Sequence, residues 1–317
     1  VNDTLVSVCV PAYNCGRYIE NTLTCLCMQS YSDIEIIVVN DGSTDDTLVN
    51  AGRIRDSRIR IFTVPNGGAA RARNIAYGYA SGEMVIFFDA DDYVGPDFIE
   101  DQLRTIGDRK DVVVLSAWGR FYRDDMLNVR RENIPGLDLT FPDWIKYYWY
   151  RCNPMTNPGR ALIPNEIIKK AGLWNESLTL NDDLEFFTRI FLACEKIIFN
   201  RRSLFYYRSG IGGLSSVSGD QAYRSLYDSI TLSVNRVCSA YQHDSDLLQS
   251  CANMLQSYIY LVYPRQKGSR KLVQAEIDQL PSPDLTFTAG GYTRLLVKVA
   301  GWRIAKRVKL LISPQRK

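Results

Sequence analysis

The sequence predicts an α/β protein: a doubly wound, mostly parallel sheet with helices on both faces, followed by a helical C-terminal extension. Three observations carry this. Short apolar runs alternate with helically spaced segments from residue 5 to about residue 117, the signature of successive βαβ units. Each apolar run ends in a polar, turn-forming cluster. The chain has 317 residues, 46% hydrophobic and 23% charged, which is ample for a real core.

Taken in order, Leu5–Val10 reads as a strand ending at Pro11-Ala12-Tyr13-Asn14, and Ile19, Leu23, Leu26 and Cys27 then follow helical spacing. Ile34–Val39 is the second strand and ends at Asn40-Asp41-Gly42. Ser43, with Asp46 three residues on, reads as the cap of a helix reaching about Arg55. Ile59–Val64 is the third strand, and Asn66-Gly67-Gly68 turns into an Ala-rich helix that stops near Ser81-Gly82. Met84–Phe88 and Val112–Ser116 are further strands, with Pro96 at a helix start between them. From 118 to about 217 the pattern becomes an aromatic-rich α+β stretch. Residues 220–265 read as helix without turn signals, and 266–285 as polar chain with a linker at Pro281-Ser282-Pro283. The expected organisation is a catalytic domain over 1–217, a helical extension over 218–285 and a basic tail over 286–317.

Composition narrows the chemistry. The net charge of +3 is too small to argue for nucleic acid. The only histidine, His243, lies far from every other motif, so Ser-His-Asp and Cys-His catalysis and histidine-rich zinc sites are set aside. The eight cysteines form no C-x-x-C pair and read as reduced, buried thiols. With no signal-peptide pattern at the start and no apolar run of bilayer-spanning length, a cytoplasmic location is expected.

In doubly wound sheets, ligands bind at the carboxyl ends of the strands. Three clusters fall there: Pro11-Ala12-Tyr13-Asn14, Asn40-Asp41-Gly42-Ser43 and Asp89-Ala90-Asp91-Asp92. Three carboxylates within four residues, behind the buried run Ile86-Phe87-Phe88, are costly to crowd unless a cation neutralises them. Hard oxygen ligands suit Mg²⁺ or Mn²⁺, so Asp89, Asp91 and Asp92 are candidate metal ligands; a polar turn closing the strand is the plainer alternative. Asp41, at a strand tip, can accept from the imide N–H of a base such as uracil, or can form an Asx-turn before Ser43. Arg73, on the helix after Gly67-Gly68, can offset diphosphate charge. In Asn181-Asp182-Asp183 the acids suit a helix N-terminus. They also suit a general base: Asp183 is the better placed, with Asp182 orienting or binding the acceptor.

Five motifs occur in one order: Val8-x-Val10-Pro11-Ala12-Tyr13-Asn14, Asn40-Asp41-Gly42-Ser43-Thr44-Asp45, Gly67-Gly68-x-x-x-Ala72-Arg73-Asn74, Asp89-Ala90-Asp91-Asp92 and Asp182-Asp183. Over roughly residues 5–215 the chain resembles the family 2 glycosyltransferases. The resemblance implies a GT-A fold, a nucleotide-sugar donor (most often UDP-linked), a divalent metal and inversion at the anomeric carbon. It implies that Pro11, Tyr13 and Asp41 line the base, that Arg73 and Asp89 meet the rest of the nucleotide, and that Asp183 is the base. The acceptor is expected to be a glycan or a lipid-linked sugar of cell-surface polysaccharide synthesis. Two departures stand out: Asp182-Asp183 replaces a more usual Glu-Asp, and Tyr207-Arg208-Ser209-Gly210 lacks a histidine that many relatives carry near this point. The glycine-rich 212–216 stretch is expected to close over the diphosphate. A nucleotidyltransferase, or a catalytically silent donor-binding scaffold, is the alternative. The former would want a basic, Gly-rich loop after the first strand, where this chain has Pro11-Ala12-Tyr13-Asn14.

Among the aromatics, Trp144, Tyr147, Tyr148, Trp149 and Tyr150 can stack on an acceptor sugar or pack a core. After Asp284 there is no acid, while Arg294, Lys298, Arg303, Lys306, Arg307, Lys309, Arg316 and Lys317 follow. Val297, Ala300, Ile304, Val308 and Leu311 share one face of a continuous helix. That tail is expected either to lie on an anionic membrane surface or to dock on protein.

Overall fold

The computed structural model describes residues 4–122, 124–211, 219–290 and 292–312. The chain forms two compact units, one of residues 1–143 with 155–217, the other of residues 144–154 with 218–317. The division differs from cuts at 217 and 285. Segment 144–154 belongs with the C-terminal helices, because Asn253 Nδ2 donates to the Tyr150 carbonyl at 3.0 Å and Lys146 pairs with Asp244 at 3.1 Å. The tail belongs to the same unit.

The first unit runs β1 (Val6–Ala12), α1 (Ile19–Cys27), β2 (Ile34–Asp41), α2 (Thr47–Ala51), β3 (Ile59–Val64), α3 (Ala69–Gly78), β4 (Met84–Phe87), β5 (Tyr93–Val94), α4 (Phe98–Ile106), β6 (Val112–Tyr122), β7 (Arg130–Arg131), α5 (Phe141–Trp144), β8 (Ala161–Pro164), α6 (Asn165–Ala171), α7 (Asp182–Ala193) and β9 (Lys196–Ser209). The sheet has the order β3-β2-β1-β4-β8-β6-β9-β5, with β7 paired to β6. Strands β1 to β4 pair in parallel, as their βαβ connections require. Every residue of β1 is buried, the pattern of a strand covered on both faces. The remainder is mixed: β8 pairs antiparallel with β4 and β6, and β9 runs parallel to β6. The fold is the expected GT-A arrangement, with parallel pairing concentrated in its first half.

Two features of this sheet position the site. The carboxyl ends of β1, β2 and β4 lie along one edge because their registers align Val10 with Val38 and Cys9 with Phe87. The 14-residue β9 returns to that edge, where Tyr206 pairs with Tyr93 just after the acidic cluster. Beneath the edge, Val8, Val10, Leu23, Ile36, Val38, Ile86, Phe98 and Phe205 form one buried apolar cluster.

Local differences from the sequence reading have local causes. The helix expected from Ser43 to Arg55 is only Thr47–Ala51. Ser43 Oγ instead accepts from the Asn14 N–H at 3.0 Å, and Asp45 accepts from the Gly16 N–H at 2.9 Å, so loop-to-loop bonding displaces the cap.

In the second unit, the helix expected over 220–265 is two, α8 (Asp220–Ala240) and α9 (Ser245–Val262). Asp244 caps α9 by accepting from the Asp246 and Leu247 N–H groups. The polar stretch after residue 265 holds α10 (Lys267–Ile277). The tail, α11 (Tyr292–Ile312), breaks at Gly301, whose φ of 78° is left-handed. The single apolar face drawn through Val297 and Leu311 is therefore interrupted. Past the break, Trp302 packs on Tyr260, Tyr263 and Phe287, and Ala305 is fully buried. No helix among the described residues is long and apolar enough to cross a membrane.

Candidate active site

Three loops at the carboxyl edge are stitched together by their own polar side chains. Asn14 Oδ1 accepts from the Thr44 N–H at 2.9 Å, and Thr47 Oγ1 from the Cys15 N–H at 2.8 Å. These bonds fix the Tyr13 turn and leave the Tyr13 ring 52% exposed. Pro11 sits in β1 itself, buried opposite Val39. Asp41 is only 2% exposed. Its Oδ1 accepts from the Gly67 N–H and its Oδ2 from the Gly68 N–H, both at 2.8 Å, and Asn66 Nδ2 adds a bond at 3.1 Å. The carboxylate expected to face a base thus organises the loop that opens α3. Gly42 tolerates no side chain here: its φ is +69°, and a Cβ would lie 2.8 Å from the Asn66 nitrogen.

Arg73 joins the two acidic clusters. It is 5% exposed; Nη2 donates to Asp89 Oδ1 at 2.7 Å and Nη1 to Asp182 Oδ2 at 2.8 Å, while Nε has no partner. Its guanidinium lies over Trp174, 4.4 Å from the ring centroid, and Trp174 stacks on Phe186 of α7 at 3.9 Å. Asn74, the next residue, holds that platform. Its Nδ2 donates to the Trp174 carbonyl at 2.9 Å and to Glu176 at 2.8 Å, and its Oδ1 accepts from the Trp174 N–H at 2.9 Å. Arg73, expected to meet a nucleotide, is thereby a clamp between the tip of β4 and the start of α7.

The remaining acids differ in what neutralises them. Asp92 is 1% exposed; its Oδ1 accepts from the Arg208 N–H at 2.9 Å and its Oδ2 has no partner. Burial, with Asp91 and Asp89 nearby, holds its carboxyl well above the usual range. Asp91 forms no ion pair among the described residues. Burial and the charge of Asp89 push it up to about 7, against the pull of Arg208. Asp183 is likewise raised to about 7 by burial and by Asp182, and among the described residues its Oδ1 accepts only from the adjacent Leu184 N–H at 3.0 Å. Burial also raises Asp182, with Arg73 opposing.

Residues 7–169, just over half of the chain, match the family model described as Glycosyl transferase family 2. The chain belongs to that family. It is 28% identical to the glycosyltransferase GlyG of Streptococcus pneumoniae over 69% of this chain and 75% of that protein. It is 26% identical to Bacillus subtilis EpsJ over 98% and 96%. A stretch 42% identical to the chondroitin synthase of Pasteurella multocida covers 30% of this chain and 10% of that protein's length. Among solved structures, S. aureus TarS 1-349 in complex with UDP-GlcNAc is similar with a TM-score of 0.69 and 19% identity, over 98% of this chain and 93% of that one. The likeness shows the GT-A fold.

A family 2 glycosyltransferase is an enzyme that transfers sugars, and its acids can be weighed on that basis. Among the described residues no three carboxylate, histidine or cysteine side chains converge to cage a metal. Asp89 is tied to Arg73, and Asp92 is turned inward to β9, so the sequence-derived trio of metal ligands separates into three roles. The donor set still fits a hard cation: Asp91 and Asp92 are raised by burial and by the charge of neighbouring carboxylates, and Mg²⁺ ordinarily takes one or two carboxylates plus substrate phosphates.

Sequence reasoning missed three organisers. Arg208 donates through Nε to the Asp91 carbonyl at 2.6 Å, pairs with Asp124, and lies 4.6 Å from the ring centroids of Tyr18 and Phe121. Asn74 and Trp174 are the others. Only the adjacency of Asn74 to Arg73 offered a signal. The glycine-rich stretch 212–216, expected to close over a diphosphate, lies outside the described residues. The 144–150 aromatics belong to the second unit, where Trp144 and Trp149 are buried and Tyr147 and Tyr150 exposed.

Proposed function

We propose that this glycosyltransferase moves a sugar from a UDP-linked donor to a hydroxyl of a glycan or lipid-linked acceptor in cell-surface polysaccharide synthesis, with inversion. The observation that carries the reading is the isolation of Asp183. Its neighbour Asp182 is held by Arg73, so one carboxylate of the pair is left with a proton affinity near neutrality, where a general base works best. Asp183 accepts the acceptor's hydroxyl proton as that oxygen attacks the anomeric carbon from the side opposite the leaving diphosphate.

The UDP complexes of similar S. aureus TarS support the choice of donor. The exposed Tyr13 ring and the loop that Asp41 anchors would receive the base, and Asp91, beside Asp89, would hold Mg²⁺ or Mn²⁺. When bound, such an ion neutralises charge on the departing diphosphate. Arg73 keeps Asp89 and Asp182 in register, and Arg208 fixes the Asp91 backbone. Calorimetry tests the reading: UDP should bind more tightly with Mn²⁺ than with chelator, and Asp91→Asn should remove most of that difference. Equal affinity under both conditions would refute the metal assignment, and no affinity for UDP would refute the donor.

A further inference from the structure

The strongest surface feature that the transfer reaction leaves unused is the outward side of α11. In its first segment, Leu295 and Val299 are one helical turn apart and 66% and 80% exposed; beyond Gly301, Leu311 and Ile312 are 82% and 64% exposed. With Ile304, also exposed, that makes five exposed aliphatic side chains on about twenty residues, more than a solvated helix normally carries. Their charged company has one sign. Arg294, Lys298, Arg303, Arg307 and Lys309 are all exposed, and no acid follows Asp284. The inward side is already occupied by Trp302 and Ala305, and Lys306 Nζ reaches the Leu261 carbonyl at 3.3 Å. The segment after Gly301 is therefore anchored to its own unit through Trp302, Ala305, Lys306 and the Arg307 guanidinium over Tyr263, while the aliphatic groups and the cations Arg294, Lys298 and Lys309 stay exposed.

We propose that this outward side of α11 is a docking surface for an anionic lipid bilayer. A protein partner of ordinary composition would need a concentrated acidic face to match it. A bilayer with anionic headgroups supplies both requirements at once, negative charge at the surface and acyl chains just beneath. The proposal is independent of donor and acceptor identity.

The test uses the full chain with sucrose-loaded phosphatidylcholine vesicles, with and without phosphatidylglycerol. The protein should sediment only with the anionic vesicles and should be released as salt rises toward about 1 M, where the screening length falls to about 3 Å. Each basic residue removed near such a surface weakens binding about fivefold. The triple variant Arg294→Gln, Lys298→Gln, Lys309→Gln should therefore bind about a hundredfold more weakly, with unchanged thermal unfolding, since none of these three side chains makes an ion pair or ring contact among the described residues. Leu295→Ser with Val299→Ser should weaken binding at low salt and leave unfolding unchanged. Failure of the intact chain to sediment with anionic vesicles at low salt would overturn the proposal, as would undiminished binding by the triple variant. A concentration-dependent dimer that Leu295→Ser and Val299→Ser dissociate, without vesicle binding, would assign the surface to a second copy of the chain instead.

Discussion

The two acidic clusters of the catalytic unit look alike in sequence and differ in what the fold does with each carboxylate. At the tip of β4, Asp89 is paired with a guanidinium, Asp92 is buried with one oxygen on a backbone N–H from β9 and the other without a partner, and Asp91 forms no ion pair among the described residues. At the start of α7, Asp182 is neutralised by the same guanidinium, and Asp183 only by the amide next to it. In each cluster an acid without an ion pair has its affinity for protons raised to about 7, Asp91 in the first and Asp183 in the second, while burial also raises Asp92 and Asp182. A carboxylate raised by burial and like charge takes a proton or a cation, and the proposed function divides these outcomes between the two sites. Asp183, at the helix start, suits proton transfer, whereas Asp91, beside two further acids, suits a divalent ion. Arg73 is the hinge of the comparison, because its two terminal nitrogens decide which acid in each cluster is not free.

The sharpest way to break this division is Asp183→Asn. It retains shape and removes the base, so turnover should fall by roughly 10²–10⁴, with donor affinity little changed. A larger loss from Asp182→Asn would transfer the role to its neighbour. For the intact enzyme, the rate should fall about tenfold per unit as pH drops below about 7 and level off above it, read from the pH dependence of kcat.

Next in size is Arg73→Met, which would leave the half-buried Asp89 and Asp182 without their counter-charge. Breaking a buried pair from one side costs about 3–5 kcal/mol, measurable by denaturant unfolding. Arg73→Lys should recover only part of it, since one ammonium cannot span both carboxylates with fork geometry. A fully stable Arg73→Met protein would show that the clamp is dispensable.

The third effect opposes the first in sign. Asp183 holds its proton more tightly in the folded chain than in the unfolded one. Its favourable contribution is therefore complete below the usual carboxylate range and is lost as pH rises through about 7. Asp183→Asn should accordingly stabilise the fold by roughly 2 kcal/mol at pH 8, after allowance for partial exposure, and by almost nothing at pH 4. Equal unfolding midpoints for both proteins at pH 8 would mean that the acid is ordinarily ionised.

The smallest effect concerns the platform. Asn74→Ala removes three hydrogen bonds to residues 174–176 and should cost about 1–3 kcal/mol by leaving the Trp174 backbone groups unpaired. Turnover should fall more than donor affinity, because α7 would be less firmly placed. Asn74→Asp should be intermediate, since it keeps the acceptor and loses the donor.

Much of this arrangement was legible before any coordinates. Runs such as Ile36-Ile37-Val38-Val39 are too apolar to be anything but buried strand, and the length of each run put Asp41 and Asp89 at strand ends on a shared edge. The acidic pair at a helix start was visible from Asn181-Asp182-Asp183 opening an apolar helix. The roles of Asp41 and Arg73 were not legible, because their partners are distant in sequence. Asp41 meets residues 66–68, and Arg73 meets Asp182, 109 positions away. The helix expected from Ser43 failed for a similar reason: a cap is a local preference of about 1 kcal/mol, and bonds to Asn14 and Gly16 outweighed it.

The sequence by itself determined the family, the alternating strands and helices of the first βαβ units and the identities of the acids, since periodicity and local motif chemistry are written in neighbouring residues. Only the tertiary structure decided which acid is neutral, which is paired and which is left to act. That choice depends on burial and on charges brought together from β4, α3, α7 and β9. Electrostatic energy varies with distance and surroundings in space, and neither is encoded in the spacing along the chain.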